Sequence, residues 1–171
     1  MTEKWVKEVY EKILTKEEQV AKRNAHKIPY TTKDGVFDDK SGKEICWWTN
    51  GFWGGMMWQL YQATNELYRE IAIENEEKLD ANLMNRQGMD HDSDFKWLPT
   101  AVAHYRVDGN GESRNRALLA ADNLAGRFNP VGRFIRAWNN WDGNEDGSFA
   151  GRAIIDCMMN LSLLYWAEKE T

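Results

Sequence analysis

The chain has 171 residues, 22 basic against 27 acidic, a net charge of −5, and 42% hydrophobic and 29% charged residues. That balance gives a globular chain with a sizeable core and excludes disorder. No basic block alternates with aromatics to hold nucleic acid, and no charge-free apolar stretch is long enough to span a bilayer.

The first residues, Met1-Thr2-Glu3-Lys4-Trp5, open directly into a charged helical pattern with Thr2 as its N-cap. They carry no signal-peptide core, so a cytoplasmic location is expected. Apolar residues from Trp5 to Val20 recur at helical spacing, predicting a helix to about Asn24. Lys27 to Glu44 is a loop with Pro29, Lys33-Asp34-Gly35 and Ser41-Gly42 as turn signals. A second helix is expected from about Gly51 to Ala63, and Thr64-Asn65-Glu66 restarts a third through Leu67, Ile71 and Leu79. After a polar loop from Asn85 to Ser93, a fourth helix spans Phe95 to Val107, with Pro99 in its first turn. Asp108-Gly109-Asn110-Gly111 is a turn, and a fifth helix covers about Ser113 to Phe128. Asn129 to Gly151 is irregular, with Phe134 to Trp138 extended. A sixth helix carries the apolar run from Ala153 to Trp166. The fold class is therefore all-α: about six helices as helical hairpins in a single domain over 1–171.

Asp156 interrupts that last apolar run. A helix apolar all round is a buried helix, and a carboxylate on it must be paired, hydrogen-bonded or neutral. Arg152, Asp156 and Asn160 follow at i, i+4 and i+8, so they share one helix edge and read as a polar strip lining a cavity. Asp156 is thus a candidate acid or base.

Other clusters have two readings each. Trp53 and Trp58 fall on helical spacing with Met57 and belong to the core. Trp47 and Trp48 precede the helix, where aromatic faces suit a sugar ring. Gly51, Gly54 and Gly55 permit close helix approach. Asp90-His91-Asp92-Ser93-Asp94 is either a solvated acidic loop, with Ser93 or Asp94 as N-cap, or a catalytic segment, and one short cluster does not supply the full ligand set of a hard-cation site. Asp92 and Asp156 would supply the two carboxylates used in glycoside chemistry. Asp142-Gly143-Asn144-Glu145-Asp146-Gly147 opens like a calcium loop, but Ala153 stands where the bidentate glutamate should be, which favours a plain polar loop. His104, in mid-helix, reads as structural. No zinc, phosphate-loop or serine-hydrolase motif is present. Cys46 and Cys157 read as reduced core thiols.

Four blocks in order resemble the unsaturated glucuronyl hydrolases, glycoside hydrolase family 88. They are Trp48-Thr49-Asn50-Gly51-Phe52-Trp53, His91-Asp92 with Phe95, Arg136-Ala137-Trp138, and Gly151 to Leu161 around Asp156. The resemblance implies an (alpha/alpha)-six barrel, of which this chain would be the N-terminal half and so truncated. It implies hydration of the vinyl ether double bond of an unsaturated uronic-acid oligosaccharide, without metal or cofactor. Asp156 matches the general acid/base and Asp92 the second catalytic aspartate. Trp48, His91 and Trp138 match the sugar subsite, and Arg136 and Asn160 are expected to contact substrate. An unsaturated rhamnogalacturonyl hydrolase, or a non-catalytic carbohydrate-binding or structural fragment, is the alternative. The family usually has glycine where this chain has Asp94, a charge that weakens anion binding unless it points away. A half barrel also exposes apolar edges, which implies a homo-oligomer or a complementing second half.

Overall fold

A computed structural model describes residues 3–61, 65–85, 88–140 and 147–171. Thr2, Thr64 and the calcium-like stretch before Gly147 lie outside the described residues. Among the described residues the architecture is all-α with two small hairpins. Helix α1 is Glu3–Asn24, α2 Phe52–Tyr61, α3 Glu66–Asn85, α4 Ser93–Trp97, α5 Ala103–Asp108, α6 Gly111–Ala125 and α7 Cys157–Glu170. A 3-10 turn, Trp48–Gly51, leads into α2. Strands β1 (Thr32–Lys33) and β2 (Val36–Phe37) pair antiparallel, as do β3 (Phe128–Asn129) and β4 (Phe134–Ile135).

Local chemistry explains most boundaries. Asp34 and Gly35 both take positive φ, 52° and 78°, so the expected turn closes a hairpin. The Asn65 side chain accepts from Leu67 N at 2.9 Å and starts α3, and Asn110 accepts from Ser113 N at 2.9 Å and starts α6. Gly109, at φ 67°, ends α5 in the left-handed conformation. Two expectations fail. Phe128 leaves the fifth helix and pairs with Ile135 instead. The fourth helix begins at Ser93, so Pro99 sits inside it, and a π turn, Leu98–Val102, absorbs the ring and the missing N–H. The carbonyl of Phe95, which Pro99 cannot bond, faces Gly51. A Cβ at Gly51 would come within 2.5 Å of that oxygen, so only glycine lets the two backbones meet.

Two apolar clusters form the core. One packs Val20, Trp53, Met57, Trp58, Tyr68 and Ile71 between α1, α2 and α3. The other packs Leu79, Trp97, Val102, Ala121, Leu163 and Trp166 between α3, α4, α6 and α7. Trp53 and Trp58 are core residues as expected. His104 is buried and structural as expected: its Nδ1 lies 2.8 Å from both Glu76 Oε2 and Ser113 Oγ, joining α3, α5 and α6. Both cysteines are free thiols, each half-buried. Among the described residues no helix is long and apolar enough to cross a membrane.

The final helix is not apolar-buried all round. It packs on α4 and α6 through Asn160, Leu163 and Trp166, which are buried at a spacing of three. On its other flank Met158, Met159 and Tyr165 are 66, 60 and 67% exposed, and Ile155 before it is 90% exposed. Helix α1 likewise leaves Trp5, Val6, Tyr10 and Ile13 open.

Candidate functional site

Asp156 precedes α7 rather than lying on it, at the N-cap position with helical φ and ψ and no side-chain capping bond. Its side chain is 42% exposed. The edge of Arg152, Asp156 and Asn160 therefore does not exist: Arg152 is in the preceding turn, exposed, with its guanidinium 4.8 Å over the Phe149 ring. The apolar periodicity was real, but it marks a helix packed on one flank only.

Burial falls on the other carboxylates. His91, Asp92 and Asp94 are all buried, at 0, 8 and 5% exposure. Asp92, not Ser93 or Asp94, occupies the N-cap position of α4, and its carboxylate makes no capping bond. The backbone turn is held instead by Asp90, whose Oδ1 accepts from Asp92 N at 3.0 Å. Three unpaired atoms then converge. His91 Nε2 lies 3.3 Å from Asp92 Oδ1 and 3.8 Å from Asp156 Oδ1. The ligand atoms of these three residues lie within 4.8 Å of one another.

Electrostatics sorts the two acids. Burial pushes Asp92 up to about 7, the neighbouring Asp90 and Asp156 add to this, and Lys96 and the Asn160 amide oppose it. Burial pushes His91 below its ordinary value, although Asp156 and Asp90 pull it up, so the imidazole is neutral at neutral pH. The cluster thus holds an imidazole without charge at neutral pH, a buried carboxyl that retains its proton up to about pH 7, and an open carboxyl. The three are close enough to share a proton or a cation.

The segments are held in place by groups that sequence reasoning missed. Ala137, fully buried, accepts from His91 N at 3.3 Å and donates to Arg152 O at 2.8 Å, which aligns the backbone before α4 with the backbone before α7. Arg127 locks that arrangement. Its guanidinium donates to Arg136 O at 2.9 Å, Met89 O at 3.2 Å, Ala137 O at 3.0 Å and Asn139 Oδ1 at 2.9 Å. Lys96 is fully buried and donates to Asn82 Oδ1 at 2.9 Å, and burial lowers its pKa against the pull of Asp90 and Asp92. A lysine at i+4 from Asp92 and a buried-helix pattern were the only signals for it.

The remaining sequence candidates divide. Trp48 is 39% exposed and stacks edge-on against Phe52 and Phe95, at 5.7 and 5.5 Å, forming a half-open aromatic wall beside α4. Trp47 turns away to Tyr30 at 5.5 Å. Trp138 follows Ala137 and meets the Phe149 ring edge-on at 5.5 Å. Arg136 is committed to its own loop, donating to Trp138 O and Asn140 Oδ1, each at 2.8 Å. It also borders a cavity of about 560 Å³ with Arg127, Pro130 and Ala150, apart from the acids. Asn160 is fully buried, and its Oδ1 accepts from Asp94 N at 3.1 Å, so it braces the site rather than facing an open cleft. Asp94 turns its carboxylate to α7, accepting from Leu163 N at 2.6 Å. The added charge points away from the cluster.

No family model matches the chain. It is 36% identical over 142 residues to the unsaturated chondroitin disaccharide hydrolase of Streptococcus pneumoniae (strain ATCC BAA-255 / R6), covering 82% of this chain and 34% of that protein. It is 38% identical over 126 residues to the unsaturated glucuronyl hydrolase of Bacillus sp. (strain GL1), covering 72% of this chain and 33% of that protein. The crystal structure of unsaturated glucuronyl hydrolase from Bacillus sp. GL1 superposes with a TM-score of 0.75 at 32% identity, over 89% of this chain and 40% of that one. The chain therefore spans about a third of the length of the curated relatives it matches.

Proposed function

The chain is a relative of the unsaturated glucuronyl hydrolases along about a third of their length, and from that kinship we propose that it serves hydration of an unsaturated glucuronyl oligosaccharide. The observation that carries the reading is the meeting of His91, Asp92 and Asp156 from two helix starts far apart in sequence. A vinyl ether needs an acid that protonates carbon and a base that takes a proton from water. In this reading Asp156, open to the exterior, faces the sugar, gives a proton to C4 and takes one from the water that adds to C5. Asp92, buried beside Asp156, orients the double bond. The C5 hydroxyl then makes a hemiketal. Its ring C–O bond opens to a C5 ketone, leaving a hemiacetal at C1 that expels the linked sugar as an alcohol. Atoms balance with one water consumed. Trp48 and Trp138 would offer aromatic faces to the ring, and His91, neutral and between the acids, would hydrogen-bond the substrate. Breakdown of polysaccharide fragments is the setting this chemistry serves. The test is to supply an unsaturated glucuronyl disaccharide and follow the ultraviolet absorbance of its conjugated double bond. Steady loss supports the reading, while binding without loss supports a carbohydrate-binding fragment instead.

A second part of the proposal concerns the open flanks of α1 and α7. Their exposed Trp5, Tyr10, Met158, Met159 and Tyr165 make apolar edges of the kind that seek cover. We propose that the rest of a barrel covers them, whether further along the same polypeptide or from another chain. Light scattering of this chain alone is expected to show mass rising with concentration. A strict monomer at every concentration contradicts exposed, cover-seeking edges.

A further inference from the structure

Asp94 is a buried acid, and no cation lies within salt-bridge distance of it among the described residues. Burial pushes it up to about 6. Two hydrogen bonds cross between its own residue and α7: Leu163 N donates to Asp94 Oδ2 at 2.6 Å, and Asp94 N donates to Asn160 Oδ1 at 3.1 Å. These bonds sit one step behind the cluster on both sides. Asp94 is two residues after Asp92 on α4, and Asn160 is four residues after Asp156 on α7. A rigid helix transmits a shift at one turn to the next, so the crossed pair sets how far the start of α4 stands from the start of α7. The apolar contacts of the same interface, Trp97, Leu163 and Trp166, can hold the helices together but do not fix their sliding.

We propose that Asp94 is a positioning residue whose crossed hydrogen bonds with α7 fix Asp156 against His91 and Asp92. The proposal rests on the reading of those three as the reacting cluster, and its test keeps the two apart. Three forms of the full chain are compared: the parent, Asp94→Asn, which keeps an acceptor oxygen, and Asp94→Gly, which keeps only the backbone donor. Carbon NMR follows the Asp92 carboxyl through a pH titration, a readout that needs no turnover. The groups acting on Asp92 are Asp90, Asp156, Lys96, Asn160, His91, Arg127 and Cys157. Of these, Asp156, Cys157 and Asn160 move with the start of α7, and Asn160, which opposes the others, acts on Asp92 less than burial and Asp156 do. Asp94→Gly is expected to lower the Asp92 midpoint, because Asp156 recedes and water enters, and Asp94→Asn to leave it near the parent's. In parallel, Asp94→Gly should lower kcat on an unsaturated disaccharide by about tenfold or more with KM little changed, since small misplacements at a reacting centre act on kcat. An unchanged Asp92 midpoint in a folded Asp94→Gly chain overturns the positioning role. A parent with no turnover overturns the functional reading but leaves the NMR comparison standing.

Discussion

Asp156→Asn is expected to lower turnover of an unsaturated glucuronyl disaccharide by about 10³-fold, the scale of a lost general acid/base. The amide is nearly the same shape but can neither give a proton to carbon nor take one from water. Substrate affinity should change little, because the amide keeps polar contact with the sugar. Stability should also hold. The side chain is 42% exposed and makes no capping bond to α7, so the substitution breaks no hydrogen bond. Turnover by ultraviolet absorbance and unfolding by circular dichroism check both halves. A variant with parental turnover removes Asp156 from the chemistry.

Asp92→Asn carries the second large effect, and it runs in opposite directions for activity and stability. Turnover should fall by about 10²-fold or more, with loss of the carboxyl that orients the ring. Stability should rise at neutral and alkaline pH. The sign follows from linkage: the folded chain holds this proton up to about pH 7, whereas an unfolded aspartate releases it near 3.8. The burial penalty of the charge is therefore absent at acid pH, grows as pH rises from about 4 to 7, and is full above that. Its size is at most about 4 kcal/mol, taking the whole difference between the two values. The parent should thus lose stability across that window, while Asp92→Asn, with nothing to ionise there, should lose less. Urea unfolding at pH 5 and pH 8 for both chains measures it. Equal pH dependence in the two would show that Asp92 is not the buried titrating group. Such a trade is expected where a site is held in a state that the fold alone would not choose.

The sequence made the helices legible because their apolar periodicity is strong, and the candidate acids legible because carboxylates beside apolar runs are rare. Which acid is buried was not legible. Asp156 looked buried because Ile154 to Leu164 is nearly all apolar, yet Ile155, Met158 and Met159 face outward from a helix packed on one flank. Asp92 looked solvated because it lies in the run Asp90 to Asp94, yet α7 and the Ala137 segment close over it. Local composition reports how apolar a segment is, not which flank finds a neighbour. For the same reason Arg127 gave no signal: its role is to bond carbonyls of segments 38 and 10 residues away. Gly51, by contrast, was readable as a close approach, since only glycine lets the backbone meet the Phe95 carbonyl.

Hydration adds water across the double bond and delivers the proton to C4. The most direct measurement is to run the reaction in deuterium oxide on an unsaturated glucuronyl disaccharide and read the products by NMR. The conjugated absorbance is expected to disappear and the keto product to carry one deuterium at C4. Release of the linked sugar with the double bond intact and no deuterium at C4 would mean direct attack at the anomeric carbon, and would contradict hydration.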